Sequence, residues 1–108
     1  MIRAEITFRY AERDILKIGR IISTLFFKSP NRFKGLEEYL RDEVPFIFTD
    51  NFLGCYLGIM QNPDETDLFC LEIVDTLNKG SDIDLTERLL YCIKDCSQIE
   101  LVKQHNLK

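Results

Sequence analysis

The sequence predicts an α+β domain, an antiparallel sheet of about four strands with three helices packed on one of its faces. Three observations carry this. The chain opens on a period-two apolar pattern, continues with apolar residues at three- and four-residue spacing, and holds in its middle short apolar runs bounded by turn residues. At 108 residues, 45% apolar and 30% charged, residues 1–108 read as a single globular domain with enough core to fold unaided, and the composition excludes intrinsic disorder.

Ile2, Ala4, Ile6, Phe8 and Tyr10 alternate with Arg3, Glu5, Thr7 and Arg9, which predicts a strand over 2–9 with one wet face. The period then lengthens. Ile15, Ile18, Ile22, Leu25 and Phe26 form one stripe of a helix, with Arg13, Lys17, Arg20 and Lys28 on the opposite side. Ser29-Pro30 supplies a capping hydroxyl and a proline suited to a first helical position, and Phe33, Leu36 and Leu40 continue at helical spacing. A second helix is therefore expected, ending before Pro45.

Phe46 to Phe48 and Phe52 to Met60 are apolar on both faces and read as a hairpin inside the sheet, turning tightly at Asp50-Asn51. Asn62-Pro63-Asp64 makes the next turn. Leu68 to Val74 is too continuously apolar for periodicity to separate a strand from a helix running on to Leu77, and a third strand of the meander is the reading taken. After the break at Lys79-Gly80-Ser81, Leu85, Leu89, Cys92, Ile93 and Cys96 share a C-terminal helix face, while Ile99 to Val102 reads either as a strand or as a continuation of that helix. The expected order is strand, two helices, three-stranded meander, helix.

Motifs for chemistry are absent from the sequence. It contains no glycine-rich nucleotide loop, no nucleophile elbow and no His-Glu-x-x-His, and the one histidine, His105, is the fourth residue from the end. Cys55, Cys70, Cys92 and Cys96 lack the tight Cys-x-x-Cys knuckle of structural zinc and read as reduced thiols that pack as small hydrophobes. No metal, cofactor or catalytic residue is expected. The first residues interleave charge with apolar side chains, unlike a secretion signal, and no run is long enough to span a bilayer, so a cytoplasmic protein is expected.

Charge is the informative feature. Residues 1–43 carry nine Lys/Arg against seven Asp/Glu, and residues 44–108 carry five against eleven. Eight carboxylates fall between Asp64 and Glu87, with Lys79 the single cation among them. Such a field attracts a basic partner and repels a phosphate backbone, and the acidic balance of the whole chain argues against nucleic acid as the partner. Asp64, Glu65, Asp67, Asp82, Asp84 and Glu87 are the expected partner-binding carboxylates, with Tyr56 and Tyr91 as aromatic anchors. The expected function is that of a non-enzymatic acidic protein neutralising a basic protein partner, most concretely a bacterial immunity protein or antitoxin blocking a cationic toxin such as a nuclease. The alternatives are a homo-oligomeric regulatory or adaptor domain and, third, a small carboxylate-based enzyme.

Overall fold

The computed structural model describes residues 2–29, 31–34, 40–41, 44–50, 54–75 and 85–106. The elements are β1 (Ile2–Tyr10), α1 (Ile15–Phe27), β2 (Phe33–Lys34), β3 (Leu40–Arg41), β4 (Val44–Thr49), β5 (Cys55–Gln61), β6 (Leu68–Asp75), α2 (Leu85–Lys94) and β7 (Ile99–Asn106). Six strands form an antiparallel sheet in the order β2-β4-β5-β6-β1-β7, and the two-residue β3 pairs with β4 outside that order.

Ala4, Ile6, Phe8 and Tyr10 on β1, Leu57 and Ile59 on β5, and Phe69, Leu71 and Ile73 on β6 all point to one face of the sheet. Ile15, Ile18 and Ile22 of α1 and Leu89 and Ile93 of α2 close over that face to complete one core. Helix α1 packs on β4, β5 and β2, and α2 packs on α1 and β7. Phe8 and Phe69, opposite each other on neighbouring strands, stack with ring centroids 5.7 Å apart. Burying such aromatic and branched side chains contributes about 1.5–3 kcal/mol apiece, which is what holds two short helices on the sheet. Among the described residues no helix is long and apolar enough to cross a membrane.

The α+β class holds, and so do β1, α1, the meander β4-β5-β6 and α2. The element count does not: among the described residues the sheet has six strands rather than about four, and there are two helices rather than three. The helix expected after Ser29-Pro30 is replaced, where its residues are described, by β2 and β3; Pro30 and residues 35–39 lie outside the described residues. Three apolar residues at helical spacing support only a short, marginal helix. Pairing Phe33 with Thr49 and Lys34 with Phe48 instead satisfies backbone groups along β4.

Buried Ser23 fixes this departure. Its hydroxyl donates to the Ser29 carbonyl and accepts from the Arg32 backbone N–H at 3.0 Å, turning the chain away from α1 just after Lys28 caps it in the left-handed conformation. The connection from β4 to β5 is also longer than the two-residue turn expected at Asp50-Asn51, since β4 ends at Thr49 and β5 begins at Cys55; residues 51–53 lie outside the described residues.

At the other end of the chain, Ile99 to Val102 belongs to strand β7 and does not continue α2. The helix closes with Asp95 N–H to Tyr91 carbonyl and Cys96 N–H to Ile93 carbonyl, both 3.1 Å, and the chain reverses to pair with β1. The register of β7 shifts midway, with Phe8 opposite Leu101 but Thr7 opposite Lys103, so Val102 is an extra residue, a β-bulge.

Candidate functional site

Three connections meet at one end of the sheet: the β1–α1 loop, the β5–β6 turn and the α2–β7 turn. Tyr10 ties them together. Its backbone N–H donates to the Asp67 carbonyl at 2.8 Å, its carbonyl accepts from Arg13 N–H at 3.1 Å, and it pairs with Ile99. Its phenol, buried among apolar neighbours, donates to Glu12 at 2.8 Å. Burial first, then the hydrogen bond to the Glu12 carboxylate and that carboxylate's charge, push the Tyr10 hydroxyl up to about 12. Lys17 binds the other oxygen of Glu12, and chiefly through this contact the exposed Glu12 titrates below the ordinary carboxylate range.

Each loop has its own local lock. Asp14 caps α1, its Oδ1 accepting from Leu16 N–H at 3.0 Å and Lys17 N–H at 3.2 Å. Asn62 Oδ1 accepts from Asp64 N–H at 2.8 Å and Glu65 N–H at 2.9 Å, the turn geometry that its position before Pro63 suggests. Gln61 bridges two loops, donating to the carbonyls of Arg13 and Thr66, both at 2.8 Å, and Arg13 reaches Thr66 Oγ1 at 3.4 Å. Arg13 adopts the left-handed backbone (φ 58°) that lets its carbonyl meet Gln61.

The result is a hydrogen-bonded rim carrying Glu12, Asp14, Asp64, Glu65, Asp67 and Asp95, interspersed with Arg9, Arg13, Lys17 and Lys94. Arg9 holds Asp67 at 3.1 Å and lies 3.7 Å from Glu65, so two of the carboxylates expected to face a partner are partly neutralised within the fold. Asp64 and Asp95 are exposed and form no ion pair among the described residues. One helical turn before Asp95 stands Tyr91, 75% exposed, the most exposed large hydrophobic residue described.

The expected partner-binding residues are thus only partly assembled. Asp64, Glu65 and Asp67 share the β5–β6 turn, and Glu87 and Tyr91 lie one turn apart on the exposed side of α2. Tyr56 is half-buried near the opposite end of β5, roughly 17 Å along the strand from Gln61 at 3.4 Å per residue, and does not join the rim. Asp82 and Asp84 lie outside the described residues. Glu72, counted in the acidic stretch, is 1% exposed and contributes no surface charge. Sequence reading missed Glu12, Asp14 and Asp95; the sign for Asp14 was its position directly before Ile15, where the helical stripe begins.

All four cysteines are free thiols, and no group of three or more metal-ligating side chains converges among the described residues. No protein-family model, no curated protein and no solved structure matches the chain.

Proposed function

We propose that this protein is a non-enzymatic binding domain that neutralises a basic protein partner in the cytoplasm, in the manner of an immunity protein or antitoxin blocking a cationic toxin such as a nuclease. The observation that carries this reading is the pairing of exposed, uncompensated Asp64 and Asp95 with the exposed ring of Tyr91 on one hydrogen-bonded rim. Carboxylates steer a cationic surface toward the rim, and a rigid aromatic side chain supplies the apolar anchor in which interface energy concentrates. Because Tyr10, Asn62 and Gln61 already hold the loops in place, docking would cost little ordering entropy.

The test is capture from the native lysate with tagged protein at low and at high salt, followed by association kinetics with the retained partner. Asp64→Lys and Asp95→Lys break no ion pair among the described residues and are the informative variants. A stoichiometric basic protein whose association slows on charge reversal, with the difference fading at high salt, supports the reading. An unchanged on-rate at low salt removes the rim as the docking face, and retention of nothing but the protein itself removes the reading.

A further inference from the structure

On the sheet face turned away from the helices lies a groove of about 460 Å3. Its floor is Thr7 and Cys70, opposite each other on β1 and β6. Its apolar walls are Met60, Leu68 and Val102, and its charged lining residues are two cations, Arg9 and Lys103. The volume falls in the range of roughly 300–1,000 Å3 typical of small-molecule sites, which are mostly apolar with a few placed polar groups.

The bulge shapes this lining. Neighbours in a regular strand point to opposite faces, but the extra residue lets Val102 and Lys103 both border the groove while Leu101 turns inward to the core. A branched apolar side chain and an ammonium therefore stand side by side at one mouth. At the other, Arg9 is already compensated by Asp67 and Glu65. Lys103 is exposed and forms no ion pair among the described residues, which makes it the cation available to a ligand. Among the described residues no carboxylate lines the groove; Glu5 and Glu72 lie beyond the lining, near enough for their charge to reach Cys70 on the floor.

We propose that the groove binds an amphipathic anion, an aliphatic chain with a carboxylate head, the chain lying over Met60, Leu68 and Val102 and the head meeting the Lys103 ammonium. An uncharged chain would gain only the apolar burial, and a cationic head would meet the Lys103 ammonium unfavourably. The site uses neither Asp64, Asp95 nor Tyr91, so its fate and that of the protein-binding rim are decided separately.

The experiment is calorimetric titration of the whole chain with decanoate and, in parallel, with decyltrimethylammonium, each below its micelle concentration. One decanoate per chain is expected, with the ammonium analogue binding more weakly. Lys103→Glu, at an exposed position where folding is not at risk, should weaken decanoate about tenfold or more, the effect of losing one charge-assisted contact and gaining a repulsion. Thr7→Phe, which fills the floor, should abolish binding. No saturable decanoate binding, equal binding of the two head groups, or indifference to Lys103→Glu would each overturn the proposal.

Discussion

The Arg9 guanidinium grips the Asp67 carboxylate with a single nitrogen, Nη1 lying 3.1 Å from Oδ1 and 3.2 Å from Oδ2 across 58 residues of sequence. The same side chain reaches Glu65, so one cation on β1 governs how much negative charge the β5–β6 turn presents. Arg9 is 37% exposed, and solvent screening holds such a pair to the energy of a surface salt bridge.

Arg9→Met keeps the apolar stem and removes the charge. It should cost under about 1 kcal/mol in urea unfolding. Hydrogen exchange should nevertheless quicken at Tyr10 N–H, which bonds to the Asp67 carbonyl behind the pair. A loss of several kcal/mol would show that the pair is screened far less than its exposure implies.

Gly58 leaves no room for a side chain. A Cβ there would sit 2.8 Å from the ring of Phe46, which is itself buried and stacked on Phe48 with centroids 5.8 Å apart. Gly58→Ala should destabilise by about 1–3 kcal/mol through overpacking. Gly19 is the control. Its Cβ would fall 2.5 Å from Ile47 Cδ1, the tip of a flexible side chain, and alanine in a helix recovers about 0.5–1 kcal/mol, so Gly19→Ala should cost less. Denaturant midpoints measured side by side decide the order, and a neutral Gly58→Ala would mean the Phe46 ring is free to move.

Stability should fall in alkali. Burial, with smaller contributions from Glu5 and Glu72, pushes the Cys70 thiol from its ordinary 9.0 up to about 11, and Tyr10 rises from 10.0 to about 12. Both groups stay protonated in the folded chain after the unfolded chain has begun to lose its protons. The stability they lend is complete below pH 9.0 and is lost as pH rises through about 11 for Cys70 and about 12 for Tyr10. Glu12 has the opposite sign: its lowered value favours folding above the ordinary 4.5, and that contribution fades as acid protonates it. Ultraviolet titration of the tyrosines, with Tyr10→Phe as reference, checks the Tyr10 contribution; a Tyr10 phenol that ionises at its ordinary value would sink it.

Much of the fold could be read from residue order because period and burial agreed. In β1 Ala4, Ile6, Phe8 and Tyr10 enter the core in alternation, and in α1 the stripe from Ile15 to Ile22 is the buried one. The reading failed where the signal was short or interrupted. Phe33 and Leu40 are separated by a helical multiple yet belong to two strands of two residues each, too brief for any period to register. In β7 the alternation begins correctly with Ile99 and Leu101 inward and is then thrown out of phase by Val102. For the rim, the carboxylates of 64–67 are visible as a run, whereas their neutralisation by Arg9 is a long-range pairing that composition does not encode. Asp95 was passed over because it lies beyond the densest acid, and only the reversal after α2 carries it to the rim.

The bulge at Val102 has a further consequence for how this chain coexists with its own copies. Strand β7 ends the sheet in the described order and runs for eight residues, a length that would ordinarily recruit a neighbour's strand. Its two halves are out of step by one residue, so a straight incoming strand aligned with Ile99–Leu101 places its side chains on the wrong face beside Lys103–Asn106. One inserted valine thus breaks the register along which a strand added at this edge would have to pair.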